Sequence, residues 1–129
     1  YLEASDCGAI VSIGTTASLE AFAGASPYGA MKAALLNYFG NLAQELAPVG
    51  IRVNSVSPGP IYFEGGAWEN IRAAMPEFYD STVAMIPSGR MGSPEEVCVQ
   101  VALLLSPLSA YTTGTNVVID GGFTKRIQF

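Results

Sequence analysis

The sequence predicts an α/β fold in which three parallel strands are joined by crossover helices. Three observations lead there. A short apolar run bounded by glycines occurs at residues 10–14, and two further strand-like segments, 51–56 and 115–120, are ended by Pro58-Gly59-Pro60 and Gly121-Gly122. Segments with three- and four-residue apolar spacing lie between them. Half of the 129 residues are apolar and 13% are charged, a balance that excludes a disordered chain.

Tyr1, Leu2, Glu3 and Ala4 read as the end of a helix already under way. The first strand follows as Ile10-Val11-Ser12-Ile13-Gly14, a run suited to burial on both faces. So apolar a strand sits poorly on an open edge, and the expectation is that further strands precede residue 1. Residues 15–25 are rich in Thr, Ser, Ala and Gly and read as a loop. Ser26-Pro27 opens a helix, because serine is a preferred N-cap and proline suits the first helical position. Tyr28, Lys32, Leu35, Phe39, Leu42 and Leu46 then share one face until Pro48 and Gly50 stop the helix.

The second strand covers residues 51–56 and ends at Pro58-Gly59-Pro60. Residues 61–92 read as a capping segment, with short helices over 68–75 and 77–86 split by Pro76. Trp68, Phe78, Tyr79 and Met85 either line an apolar pocket there or simply pack. Ser93-Pro94-Glu95-Glu96 is a capping-box start for a helix running to about Leu105. The last strand, 115–120, is closed by Gly121-Gly122.

Several function classes drop out. The formal net charge is −5 and no basic run exceeds Lys125-Arg126, so nucleic-acid binding has no electrostatic footprint. No stretch reaches the ~18–20 apolar residues that span a bilayer. Histidine is absent, which removes a His base and the usual zinc ligand sets. Cys7 and Cys98 read as small core residues of a reducing compartment, with one disulfide between them left open. The expected location is cytoplasmic.

The residues that carry chemistry are Tyr28 and Lys32, four apart at a helix start and therefore neighbours on one surface. A free phenol, with a reference pKa near ~10, is a poor base at neutral pH. An ammonium at ~4 Å favours the phenolate by roughly 4 kcal/mol at an effective dielectric of ~20, before desolvation. The hydroxyl-rich loop ahead of the helix can donate a hydrogen bond to an oxygen on which charge develops. Such a trio handles protons only, so redox chemistry requires a cofactor. Taken alone, such a pair is more often ordinary helix surface than a catalytic pair.

Context adds a resemblance. Tyr28-Gly29-Ala30-Met31-Lys32, then Ile51-Arg52-Val53-Asn54-Ser55-Val56-Ser57-Pro58-Gly59-Pro60-Ile61, then Gly114 through Asp120-Gly121-Gly122 follow one another in order. The series resembles the second half of a short-chain dehydrogenase/reductase, in the branch with 3-oxoacyl-carrier-protein reductases, over nearly the whole chain. The resemblance implies a fold: residues 1–129 form the C-terminal half of a Rossmann-type doubly wound parallel sheet. It implies a cofactor, NAD or NADP, and a small-molecule carbonyl or alcohol as substrate.

It also implies roles. Tyr28 matches the general acid/base, and Lys32 the lysine that assists it and grips the nicotinamide ribose. Thr15, thirteen residues before Tyr28, stands at the catalytic serine position, with Ser12, Thr16 and Ser18 as alternatives if the loop is shifted. Pro58, Gly59 and Ile61 match the turn beside the nicotinamide. A homodimer or homotetramer is implied through the Tyr28 helix. Phe63 departs from the family's usual Thr at that place, and no GxxxGxG phosphate loop occurs in the chain. A non-catalytic assembly piece is the alternative reading, and a cofactor-free acid/base isomerase a third.

Overall fold

The computed structural model describes residues 1–127. Strand β1 (Ala9–Ile13) is followed by helix α1 (Pro27–Leu46), strand β2 (Arg52–Pro58) and helices α2 (Ala67–Ala74), α3 (Pro76–Met85) and α4 (Pro94–Leu105). Strand β3 (Asn116–Ile119) closes the order. The strands form one parallel sheet ordered β1-β2-β3, with Ile10 opposite Val53, Ile13 opposite Val56 and Val56 opposite Val117. The expected three-strand α/β arrangement is therefore present.

Alternation along the strands sends successive side chains to opposite faces. Val53 and Ile10 meet α1 on one face, where Ala43 and Ile51 are buried and Phe39, Leu42 and Leu46 pack around them. Val56, Val11, Val117 and Ile119 turn to the other face and meet Val97, Val101 and Leu104 of α4. Helices thus cover both faces, the doubly wound layout. In α1 the predicted stripe splits. Its C-terminal half packs on the sheet, while Tyr28 and Leu35 stay exposed.

Helix starts match their sequence signals to different degrees. Ser93 and Glu96 form the full capping box of α4. Ser26 is the N-cap of α1 and Pro27 sits in its first turn, yet the serine side chain makes no capping bond. Three differences stand out. Residues Leu2–Ala4 form a single 3-10 turn rather than a helix end. Strand β2 extends beyond Val56 to Pro58, held by pairing to β3 and by the Ser57 hydroxyl, 2.8 Å from the Asn116 side-chain oxygen. The cysteines are not core residues: both are exposed and both are free. Cys98 follows the buried Val97, and the ~100° step of an α-helix turns it off the packed face. Cys7 lies in the exposed turn before β1.

Arg52 has a role that strand patterning does not reveal. It is 8% exposed, and its guanidinium donates to the carbonyls of Leu104 at 2.7 Å, Ser106 at 3.2 Å and Thr112 at 3.4 Å. The last carbonyls of a helix lack intrahelical donors, and a cation also suits that end of the dipole. One β2 side chain therefore caps the C-terminal end of α4. We predict that Arg52→Leu lowers the unfolding free energy by roughly 1.5–3 kcal/mol, because the buried Leu104 carbonyl loses its donor. Urea denaturation measures it; a loss under about 0.5 kcal/mol contradicts the capping role.

Candidate functional site

Parallel strands bring their carboxyl ends to one edge of the sheet, where α/β folds bind ligands. Here that edge gathers the loop after Ile13, the turn after Pro58 and the turn after Ile119. Gly59 lets the latter two meet: a Cβ there would stand 2.7 Å from the Asp120 Cβ, and the Gly59 N–H donates to the Ile119 carbonyl at 2.9 Å.

Tyr28 and Lys32 project on the same side of α1, with the Lys32 nitrogen 5.9 Å from the centre of the Tyr28 ring. The ammonium donates to the carbonyl of Ile13, the last residue of β1, at 2.8 Å. That bond fixes the lysine at the end of the strand and leaves two of its three N–H donors free for other partners. Tyr28 is 56% exposed.

Thr15 precedes a 3-10 turn at Thr16–Ser18. Its hydroxyl accepts the Ala17 N–H at 3.3 Å, which leaves its own O–H to donate. The alternatives are placed differently. The Ser18 hydroxyl donates to the Thr15 carbonyl at 2.7 Å, Thr16 is buried, and Ser12 lies within β1. The turn abuts the start of α1 at Gly29, where a Cβ would stand 2.9 Å from the Ala17 carbonyl oxygen. Hydroxyl loop and tyrosine helix are therefore in contact.

Beyond Gly59 the chain pairs Ile61 with Gly92 in an isolated parallel bridge. The pairing uses the Pro60 carbonyl at 3.0 Å and the Tyr62 N–H at 2.9 Å. By alternation, the N–H and C=O of Ile61 itself point to the opposite side. Phe63 is exposed and begins the turn into α2. In the capping segment, Trp68 stacks on Phe78 at 6.1 Å and meets Tyr79 edge-on at 6.4 Å. These rings pack on one another. Met85 lines a cavity of about 170 Å³ with Thr16, Phe22 and Phe123. Sequence spacing did not place Phe22 or Phe123 at this cavity, because neither belongs to a periodic pattern.

Charged groups under the edge are structural. Burial pushes the Asp120 carboxyl up, but hydrogen bonds from Thr124, Gly122 and Phe123 outweigh it and hold the group below its ordinary range. Glu96 is brought down to about 2 by its hydrogen bond from Arg90 and by the Ser93 N–H. The Arg90–Glu96 pair, 2.7 Å apart, braces the segment around Gly92 against which Ile61 is paired. Among the described residues no cluster of metal-binding side chains occurs, and no helix is long and apolar enough to cross a membrane.

This architecture is the doubly wound α/β class, in which nucleotides bind outside the carboxyl ends of the strands. A family model described as enoyl-(acyl carrier protein) reductase matches residues 2–124, and the chain belongs to the short-chain dehydrogenase/reductase family. It is 46% identical over 102 residues to isoepoxydon dehydrogenase of Aspergillus clavatus, covering 79% of this chain and 39% of that protein. It is 35% identical over 115 residues to the 3-oxoacyl-[acyl-carrier-protein] reductase FabG of Vibrio cholerae, covering 89% of this chain and 45% of that one. An NADPH-bound short-chain oxidoreductase from Pseudomonas aeruginosa with an atypical catalytic centre superposes with a TM-score of 0.83. The identity there is 27%, over 97% of this chain and 49% of the other. The chain thus spans under half the length of these curated relatives and shares the Rossmann-type fold of the solved neighbour.

The Glu96 geometry yields a pH-dependent expectation. An ordinary glutamate titrates near ~4.3, above the folded value, so its contribution to stability is complete above that range and declines as pH falls toward about 2. Glu96→Gln is expected to lower the melting temperature at pH 7, and the gap to the parent should shrink steadily between ~4.3 and about 2. A gap independent of pH across that window contradicts the pairing.

Proposed function

We propose that this chain supplies the proton-handling half of an oxidoreductase that reduces a carbonyl, or oxidises the matching secondary alcohol, with NAD(P)(H). The observation that carries the reading is the Lys32 ammonium held on the Ile13 carbonyl at 2.8 Å, on the same side of α1 as the Tyr28 ring. Relatives named as a dehydrogenase and a reductase, and a neighbour that binds NADPH, support the same chemistry.

The residues present fit a nicotinamide nucleoside. The free N–H and C=O of Ile61 are a donor–acceptor pair that complements a carboxamide, and the two spare Lys32 donors complement ribose hydroxyls. Pro58 and Gly59 bring the chain to that point. The nicotinamide, when bound, supplies or takes up the hydride. Tyr28 gives the proton to the substrate oxygen in reduction and removes it in oxidation. Lys32 sets positive charge beside a phenol that becomes negative when it releases its proton. Thr15 donates a hydrogen bond to the same oxygen, where charge grows as hydride arrives.

The substrate reading is a small carbonyl compound or alcohol, entering beneath α2 and α3, which act as its cap. Assembly as a homodimer or homotetramer is supported by the apolar outer face of α1, where Met31, Leu35 and Tyr38 are 66%, 41% and 59% exposed. The two free thiols suit a cytoplasmic location. The chain carries no GxxxGxG loop for the cofactor phosphates, so the reading concerns a polypeptide that includes one. This lack also motivates the reading as a non-catalytic assembly piece.

Tyr28→Phe in the complete polypeptide is expected to lower kcat by roughly 100-fold or more while the cofactor Kd stays within about twofold. Steady-state kinetics with a panel of ketones, paired with NADH and NADPH titrations, makes the test. Undiminished turnover removes Tyr28 from the mechanism. Absence of turnover by the parent polypeptide with either cofactor favours the assembly piece.

A further inference from the structure

We propose that the segment Asp120–Arg126 is a strap that positions the Thr15 loop, with Glu20 and Asp120 as positioning residues for catalysis. The proposal rests on the reading of Thr15 as the donor to the substrate oxygen.

The strap begins with a bend. Asp120 accepts the Gly122 N–H at 2.9 Å on one carboxylate oxygen, and the Thr124 N–H at 2.8 Å and hydroxyl at 2.7 Å on the other. These bonds curl residues 121–124 back toward the loop after β1. Three contacts then join the two segments. The Glu20 carboxylate accepts the Lys125 N–H at 3.0 Å. Arg126 donates to the Leu19 carbonyl at 3.3 Å. The Phe123 ring meets Phe22 edge-on with centres 5.1 Å apart. Residues more than a hundred positions apart in sequence thus share both polar and aromatic contacts.

The gripped residues are the ones tied to the hydroxyl turn. The N–H groups of Leu19 and Glu20 donate to the Thr16 carbonyl at 2.9 and 3.2 Å, and the Ser18 N–H to the Thr15 carbonyl at 3.1 Å. A displacement of Leu19 or Glu20 therefore passes through these bonds to Thr15. The far side of the turn is stopped by Gly29 of α1. Held between strap and helix, the Thr15 hydroxyl keeps a defined place relative to Tyr28. Catalytic rates are sensitive to such placement, since a shift near ~1 Å can cost ~100-fold. Asp120 and Glu20 act only through backbone geometry and touch no reacting atom.

The test uses the complete polypeptide and compares Glu20→Ala, Glu20→Gln, Asp120→Ala and Thr15→Ala. Each is assayed for kcat, substrate KM and cofactor Kd, with thermal melts as a folding check. Glu20→Ala and Asp120→Ala are expected to lower kcat by about tenfold with the cofactor Kd within about twofold. Glu20→Gln keeps most of the rate, because its amide oxygen still accepts the Lys125 N–H. Should Glu20→Ala not fold, Arg126→Ala removes a second fastener from an exposed side chain and is expected to lower kcat about threefold. Thr15→Ala inactive beside a fully active Glu20→Ala (or Arg126→Ala) overturns the strap alone. An active Thr15→Ala overturns the role of Thr15 and the strap with it. Equal losses in kcat and cofactor affinity overturn a positioning role.

Discussion

Helix α1 and strand β1 are locked at one point by the Lys32 ammonium, which hydrogen-bonds the carbonyl of Ile13 where the strand ends. The proposed place of the ammonium charge follows from that attachment. A free lysine loses rotamer entropy when it is held at a partner, and here the bond to a backbone carbonyl offsets that cost before any ligand arrives. The charge is thereby placed beside the Tyr28 ring and at the edge of the sheet. The remaining two donors of the ammonium point away from the bond already made. A single side chain thus links helix, strand and the place proposed for a nicotinamide ribose.

The sheet makes this edge possible. Parallel strands align their carboxyl ends, so three loops far apart in sequence become neighbours. Close approach then depends on residues without side chains. Gly29 admits the hydroxyl turn to the start of α1, and Gly59 admits the Asp120 turn to the exit of β2. Below the edge, Arg52 and the Arg90–Glu96 pair hold the two ends of α4. Their charges serve the scaffold, and the proposed chemistry falls to an uncharged hydroxyl, a phenol and one ammonium.

Much of the scaffold could be read from the amino-acid order, because it rests on short-range rules. The capping box at Ser93, the proline starts at Pro27 and Pro94, the split at Pro76 and the glycine-bounded strands each lie within a few residues of their cause. The shared side of Tyr28 and Lys32 follows from helical spacing alone. Features that depend on contacts across the fold were not readable. The Lys32–Ile13 bond spans 19 residues, and the Arg52–Leu104 bond spans 52. Neither has a periodic signature. The exposure of Cys7 and Cys98 has the same origin, since the residue type favours burial and only the orientation of a turn and a helix decides otherwise. Aromatic residues of the capping segment showed their apolar character in sequence, but whether rings face a pocket or one another is set by packing.

In the proposed site one oxygen of a substrate is met by Tyr28 and Thr15 while Lys32 bridges Ile13 and a ribose. A crystal structure of the complete polypeptide with a nicotinamide cofactor and a bound alcohol measures this directly. The expected result is both hydroxyls within hydrogen-bond distance of the alcohol oxygen, the Ile61 amide on the carboxamide, and the Lys32–Ile13 bond retained. A nicotinamide ring seated away from this edge, or an alcohol oxygen held by other groups, contradicts it.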